Sequence, residues 1–139
     1  MKKTTEKNNC ACGERMTAQK SFVMDYLKSV KSHPTAETIF QEVRKKLPTI
    51  SQATVYRVLK NFKDKGKVLA INTKDNVHFD GDTSDHAHFI CEVCGNVYDI
   101  TSGCCECEIL KNKTTRRVPQ VGRINKYQIN FYGVCNKCE

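Results

Sequence analysis

Residues 33–62 read HPTAETIFQEVRKKLPTISQATVYRVLKNF, and this stretch decides the fold. It holds two apolar patterns of helical spacing, each preceded by a residue that caps helices well. Thr35 precedes the first pattern, which Pro48 stops; Ser51 precedes the second, which ends at Gly66. The inward residues of the two helices are Ile39, Phe40, Val43 and Leu47, then Val55, Val58, Leu59 and Phe62.

A third helix is predicted upstream, from Thr17 to Lys31, where apolar residues again recur at helical spacing. The His33-Pro34 pair interrupts this pattern, because proline disfavours helix in the residue before it. The polar residues 1–14, which include Cys10 and Cys12, are interpreted as a flexible arm.

Downstream of Gly66 the spacing of the apolar residues changes from that of helices to that of strands. VLAIN and VHFD flank the turn TKDN, which indicates a β-hairpin. Three helices followed by a hairpin are typical of a winged helix-turn-helix domain, here residues 15–81, with the third helix in the DNA major groove.

The outward side of the third helix offers base-reading and phosphate-binding groups. Residues 1–70 carry 15 Lys and Arg against 6 Asp and Glu, whereas residues 71–139 carry 8 against 9. This asymmetry favours a DNA partner for the first half over a helical bundle with a solvated lysine-rich surface. The candidate DNA contacts are Ser51, Gln52, Thr54, Tyr56, Arg57 and Lys60.

The sequence predicts a cytoplasmic protein with no membrane partner. No apolar run is long enough to span a bilayer, and the basic N-terminus lacks the apolar stretch of a signal peptide. Nine cysteines in a reducing compartment indicate metal or redox chemistry, and their odd number argues against a fully paired set of disulfides.

Residues 82–139 are predicted to form a small α/β unit, which makes the whole chain α+β. HAHFIC and NVYDI flank the turn CEVCG as a strand pair, and KYQINFYGV alternates as a last strand. A helix of about a dozen residues from Cys104 is a weaker prediction, because Ile109 and Leu110 are its only strong apolar anchors.

The CxxC pairs at 91–94 and 135–138 are the most specific signal in the chain. Each pair can chelate from a tight turn, and four thiolates complete a tetrahedral Zn(II) site with no position left for a substrate. Buried thiols in unrelated turns and a redox CxxC are the alternatives. The candidate structural zinc ligands are Cys91, Cys94, Cys135 and Cys138.

A second cluster joins all four histidines with carboxylates, and it suits Fe(II), Mn(II) or zinc. On a strand His86 and His88 project to the same face, as a chelating pair does. The alternative is an acidic loop with surface histidines. The cluster comprises His33, His78, Asp80, Asp82, Asp85, His86, His88 and Asp99.

Three segments in combination resemble the ferric uptake regulator family: residues 33–62, HFDGDTSDHAHFICEVCGNVYDI and INFYGVCNKC. The likeness runs from about Thr17 to the C-terminus and is greatest to the peroxide-responsive branch. It implies a homodimer that represses transcription by binding palindromic operator DNA when metal is loaded. Residues 82–139 then form the dimerisation and metal-binding domain.

The resemblance also implies roles for individual residues. It assigns structural Zn(II) to the four cysteines of the CxxC pairs. It implies that bound iron reacts with peroxide and oxidises His33 or His86, which releases DNA, whereas manganese represses without this reaction. Asp80 favours this branch, since iron-responsive members usually have glutamate there. No substrate is turned over, so no enzyme is expected. The regulatory Fe(II) or Mn(II) ligands implied are His33, Asp80, His86, His88 and Asp99.

Other functions stay open at this point. Arg57 in ATVYRVL is more similar to iron-responsive members, so an iron- or zinc-responsive repressor is the nearest alternative. A thiol-disulfide oxidoreductase would use CEVC, although no βαβ pattern surrounds it. A zinc-ribbon nucleic-acid protein would need only the cysteines. No role is assigned to His78 or to Cys104, Cys105 and Cys107.

Overall fold

A computed structural model of the protein describes residues 15–100 and 127–139. The predicted arm, residues 1–14, and the predicted helix from Cys104 lie outside these ranges. The elements of the described residues are α1 (Ala18–Ser29), α2 (Ala36–Lys46), α3 (Gln52–Asp64), β1 (Leu69–Asn72), β2 (Val77–Asp80), β3 (Ala87–Cys91), β4 (Val97–Ile100) and β5 (Ile129–Gly133).

Each of the three helices begins at a hydroxyl side chain, as the sequence predicts for Thr35 and Ser51. Thr17, Thr35 and Ser51 adopt extended backbone conformations and accept hydrogen bonds from the backbone N–H groups three residues later. Gly66 follows α3 with a φ of 69°, a left-handed conformation that costs glycine little. Local signals therefore set where the helices start and where α3 gives way to the hairpin.

The apolar faces of the three helices form the main hydrophobic core. Val68 and Phe79, from the hairpin segment, are buried against the same core, so the hairpin is fixed to the helices. The buried helical residues are Val23, Met24, Leu27, Ala36, Ile39, Val43, Val55, Val58, Leu59 and Phe62.

The strands form two sheets. β1 and β2 make the predicted antiparallel hairpin, the wing of the winged helix. The second sheet has the order β4-β3-β5, in which β4 is antiparallel to β3 and β5 is parallel to it. Buried Ile71 of β1 clusters with Ile90 and Val97, which joins the wing to the second sheet. The α+β class is confirmed.

β5 departs from the simple alternation that the sequence suggests. Phe131 and Tyr132 are 38% and 59% exposed, so the apolar side chains of this strand are not covered within the described part of one chain. Among the described residues no helix combines the length and apolarity needed to cross a membrane.

Candidate metal centres and DNA-binding surface

The two CxxC pairs meet because of the parallel pairing of β3 with β5. Cys91 ends β3, and its register partner is Gly133, two residues before Cys135. Parallel strands leave their carboxyl ends at the same edge of the sheet. Both CxxC turns therefore lie side by side at this edge.

The geometry of the four thiols suits one tetrahedral ion. Their sulfur atoms all lie within 4.8 Å of one another, and Sγ of Cys94 lies 3.8 Å from Sγ of Cys135. Zn–S bonds of about 2.3 Å in a tetrahedron place sulfurs about 3.8 Å apart. Gly95 closes the first turn with a φ of 73° and donates its N–H to the carbonyl of Cys91 at 2.9 Å.

The thiols are not equivalent in their acidity. Backbone N–H groups of Cys94 and Cys135 lower the pKa of Cys91 to about 6. The hydrogen bond with Cys135 raises the pKa of Cys138 to about 12. Four thiols this close cannot all ionise unless a cation neutralises them, and a thiophilic divalent ion does so. The donor set fits Zn(II).

The second group draws its side chains from both halves of the chain. His33 lies in the loop between α1 and α2, and Asp80 ends β2. His88 lies in β3, where its register partner is Asp99 of β4. His86 precedes β3 by one residue and projects to the same face as His88. The structure thus brings together all five implied regulatory ligands.

The three imidazoles converge on two carboxylate oxygens. Oδ2 of Asp80 lies 2.9, 3.1 and 3.4 Å from the Nε2 atoms of His86, His88 and His33. Oδ1 of Asp99 lies 2.8 to 3.5 Å from the same three nitrogens. Metal–ligand bonds of about 2.1 Å at right angles leave neighbouring ligand atoms about 3 Å apart. The spacing fits one ion bound by three nitrogens and two oxygens.

Burying these carboxylates costs free energy unless a metal cation or bound protons balance their charge. His33, Asp80 and His88 are 3%, 8% and 0% exposed. Burial alone raises the pKa of Asp80, but hydrogen bonds with His33 and His88 outweigh it and hold that pKa well below its usual value. Burial lowers the pKa of His33, yet the hydrogen bond with Asp80 and the charge of Asp99 raise it overall. A metal ion therefore competes with protons for these nitrogens.

Contacts outside the ligand group orient two of its members. The backbone N–H of Asp82 donates to Oδ1 of Asp80 at 2.8 Å, which leaves Oδ2 for the histidines. Nδ1 of His86 lies 2.8 Å from the carbonyl of Ser84. A carbonyl only accepts, so this bond places the proton on Nδ1 and frees Nε2 for a metal.

The rings of His33 and His88 enter the ligand group through their Nε2 atoms. Nδ1 of His33 and of His88 is buried and has no hydrogen-bond partner among the described residues. When a neutral imidazole binds a metal through Nε2, its proton lies on Nδ1. Imidazole and carboxylate together suit Fe(II) and Mn(II), so the residues fit such an ion.

Three members of the sequence cluster do not join the ligand group. Asp82 is exposed, and its carboxylate accepts from the N–H of Ser84 at 2.9 Å. Asp85 is also exposed. His78 lies in β2 but turns its Nδ1 to a main-chain oxygen, that of His33, at 2.6 Å. The structure thus groups five members of the wider cluster and leaves these three outside the group.

The candidate DNA contacts lie along the outer side of α3. Gln52, Tyr56, Arg57 and Lys60 are exposed. Ser51 is engaged differently, since its hydroxyl accepts from the N–H of Thr54 and lies 2.8 Å from the Thr54 hydroxyl. The Ser51 hydroxyl therefore caps the helix, and the Thr54 hydroxyl lies beside this cap.

Sequence reasoning missed two lysines beside this surface. A groove between α3 and the wing turn is lined by Tyr56, Lys60, Lys63 and Lys74 among others. Lys63 follows Lys60 by three residues on the helix, and Lys74 stands in the predicted TKDN turn, so helical spacing and the wing assignment could have selected both.

These features define a winged-helix protein that carries two clusters of metal-binding side chains. The sequence profile of the Ferric uptake regulator family matches residues 11–132. The chain belongs to the ferric uptake regulator family, and the expected function of metal-dependent repressor is confirmed at the level of that family.

Individual relatives agree with this membership. The chain is 36% identical over 128 residues to the peroxide operon regulator of Bacillus subtilis, covering 91% of this chain and 85% of that protein. It is 38% identical over 129 residues to a peroxide-responsive repressor of Staphylococcus epidermidis, covering 91% and 83%. The crystal structure of the Campylobacter jejuni peroxide stress regulator superposes with a TM-score of 0.69 at 28% identity, covering 86% and 88%.

Proposed function

We propose that this protein is a cytoplasmic, homodimeric repressor that binds double-stranded operator DNA when its regulatory site holds Fe(II) or Mn(II). His33, Asp80, His86, His88 and Asp99 bind that ion. Residues 15–81 form the DNA-binding domain, and residues 82–139 the dimerisation and metal-binding domain. The protein turns over no substrate.

One observation carries this proposal. The ligand group joins His33, in the loop that leads into α2, to Asp99 in the second sheet, with 2.8 Å between Nε2 and Oδ1. An ion held by both therefore favours one arrangement of the helical unit against that sheet. A ligand that binds one arrangement better shifts the population towards it. In a dimer, that arrangement sets the spacing of the two α3 helices on DNA.

The thiolate site has a different task. Its four ligands leave no open position, and they tie the segment after β5 to the end of β3. A structural Zn(II) ion held by Cys91, Cys94, Cys135 and Cys138 contributes to folding directly. We propose that this ion stays bound while the regulatory ion exchanges.

Exposed apolar side chains support the homodimer. Phe131, Tyr132 and Val134 are 38%, 59% and 49% exposed. β5, which carries two of them, is an edge strand among the described residues. An exposed edge strand with apolar side chains is usually buried against another part of the protein or a partner. A second copy of the chain would supply it.

We further propose that the signal is peroxide. The relatives named above from B. subtilis, S. epidermidis and C. jejuni carry peroxide in their names. Fe(II) in the site would supply the redox chemistry. The net change adds one oxygen atom from hydrogen peroxide to the ring of His33 or His86 and releases one water. The altered ring is a poorer ligand, so DNA is released.

The deciding experiment measures binding to a palindromic family operator by the zinc-loaded protein. Four samples receive Fe(II), Mn(II), further Zn(II) or no second metal, and a random duplex of equal length is the control. We expect tight operator binding with Fe(II) or Mn(II) only. Binding that does not depend on a second metal would contradict the proposal, and a response to zinc alone would favour the zinc-responsive alternative.

A further inference from the structure

His78 is the histidine for which neither the sequence nor the ligand group provides a role. It lies in β2, where its register partner is Ile71, and its side chain is partly buried. Its Nδ1 atom lies 2.6 Å from the main-chain oxygen of His33. A carbonyl oxygen accepts only, so the proton of this bond belongs to His78.

The backbone of His33 needs such support. His33 has a φ of 51°, and no other non-glycine residue in the described ranges has a positive φ. The left-handed region is unfavourable for a residue with a Cβ, because the Cβ comes close to the following carbonyl oxygen. This conformation goes together with the burial of the His33 ring, which is 1% exposed.

β2 contacts this strained loop with three consecutive residues. The side chain of His78 holds the carbonyl of His33, and the N–H of Phe79 donates to the carbonyl of Pro34 at 2.9 Å. The carboxylate of Asp80 then meets the His33 ring, with 3.4 Å between Oδ2 and Nε2. A bridge between Thr35 and His78 extends the contact. The wing strand and the His33 loop thus form one ordered unit.

We propose that His78 is a positioning residue for the regulatory metal. Its side chain holds His33 in the left-handed conformation, and this conformation aims the His33 ring at the other ligands. This role rests on the proposed function, in which His33 binds that metal. Without the donor, part of the metal-binding free energy must go into ordering the loop. Losing such an outer contact weakens metal binding by about 10–100-fold in other sites.

The structure separates this role from simple packing of the hairpin. The bond from Phe79 to Pro34 is made by the backbone alone, so the side chain of His78 takes no part in it. The hydrophobic contact of Phe79 with the helical core also stays. A variant at position 78 should therefore keep the wing in place and lose only the restraint on His33.

Two variants of similar shape provide the test. His78→Leu removes the donor, whereas His78→Asn can place its amide N–H near the position of Nδ1. We measure the Mn(II) dissociation constant of the zinc-loaded protein by electron paramagnetic resonance, together with zinc content and thermal midpoint without manganese. We expect His78→Leu to raise the dissociation constant about 10-fold at unchanged zinc content. His78→Asn should restore most of the affinity, although asparagine is a poorer strand residue.

Other outcomes would contradict the proposal, and each would exclude a different step of it. Equal dissociation constants for wild type and His78→Leu exclude the positioning role, and a lower thermal midpoint alone would then show plain structural support. Equal losses in His78→Leu and His78→Asn exclude the hydrogen bond as the cause. If His78→Leu does not fold, His78→Gln replaces it, since its donor lies one methylene farther out. A wild-type protein that holds zinc and binds no Mn(II) overturns the regulatory site itself.

Discussion

Nε2 of His33 lies 2.8 Å from Oδ1 of Asp99, although 66 residues separate the two in the chain. One side chain belongs to the loop between α1 and α2, and the other to β4. Each half of the molecule therefore completes the ligand group of the other. Changes to either residue should therefore alter both metal binding and DNA binding.

Removal of the Asp99 charge tests the regulatory site. Asp99→Asn keeps the shape of the side chain but replaces a carboxylate that faces three imidazoles. We expect Mn(II) affinity to fall by at least about 100-fold, beyond the usual loss for an outer contact. Metal-dependent operator binding should fall with it, while zinc content stays constant. Equilibrium dialysis with metal analysis measures both ions in one sample.

Asp82→Asn is the matched control for Asp99→Asn. Asp82 lies near the ligand group, but its carboxylate is exposed and accepts from the N–H of Ser84. The same loss of charge at this position should leave the Mn(II) dissociation constant nearly unchanged. Similar losses in both variants would mean that the overall negative charge of the region, rather than ligation by Asp99, governs affinity.

Cys91→Ser tests the thiolate site. Cys91 is buried, and its sulfur accepts a hydrogen bond from the backbone N–H of Cys135 at 3.4 Å. This bond links the two CxxC turns. A hydroxyl is a poor zinc ligand, and the free energy of zinc binding is also free energy of folding. Each kcal/mol lost lowers the melting temperature of a chain this size by about 4 °C. We expect a loss of several kcal/mol, measured by calorimetry, and failure to dimerise.

Cys104→Ser provides the comparison, because this cysteine is not one of the four proposed zinc ligands. It should keep one zinc per chain and the wild-type melting temperature. If Cys91→Ser also keeps both, the four-cysteine assignment is wrong. Treating the wild type with a strong chelator should reproduce the Cys91→Ser result without any substitution.

Two substitutions in α3 distinguish base-specific recognition of DNA from nonspecific electrostatic binding to its phosphates. Arg57→Ala should cost about 1–3 kcal/mol on the operator if the guanidinium reads a guanine, with loss of discrimination at that base pair. Lys60→Ala should weaken operator and random duplex alike and flatten the salt dependence, as a phosphate contact does. Fluorescence anisotropy at several salt concentrations measures both. Equal effects of Arg57→Ala on both duplexes would exclude base reading.

Local patterns made the helices and the cysteine site predictable. Thr17, Thr35 and Ser51 cap helices through hydrogen bonds within three residues, so the signal lies beside the structure it produces. Each CxxC pair likewise shows its chelating turn within four residues. The sequence also indicated that His86 and His88 share a face, because strand periodicity is fixed by the backbone.

Long-range geometry was harder to infer. The parallel pairing of β5 with β3 depends on residues 42 positions apart, and no local pattern distinguishes it from an antiparallel pair. The assignment of ligands to His33 and Asp80 came from family resemblance, since spacing alone also admitted His78 and Asp82. The local sequence likewise did not predict the left-handed φ of His33, a residue that contacts His78 and Asp80 of β2.

The length of the side chain at position 80 is predicted to decide whether the protein responds to peroxide. Oδ1 of Asp80 accepts the N–H of Asp82 at 2.8 Å, and its Oδ2 faces the three imidazoles. Asp80→Glu adds one methylene and keeps the charge, so the oxygen reaches a different point relative to the rings. By the family resemblance, glutamate here is the iron-responsive pattern. We therefore expect Asp80→Glu to retain Fe(II)-dependent operator binding and to lose its sensitivity to peroxide.

The measurement exposes Fe(II)-loaded and Mn(II)-loaded protein briefly to hydrogen peroxide and follows DNA binding and peptide mass. Wild type with Fe(II) should release DNA and gain one oxygen on the peptide of His33 or His86, whereas the Mn(II) form and Asp80→Glu should keep both DNA and mass. Oxidation confined to Cys104, Cys105 or Cys107 would make the thiols the sensor. If the wild-type Fe(II) form also keeps its DNA, the iron-responsive interpretation favoured by Arg57 replaces the peroxide one.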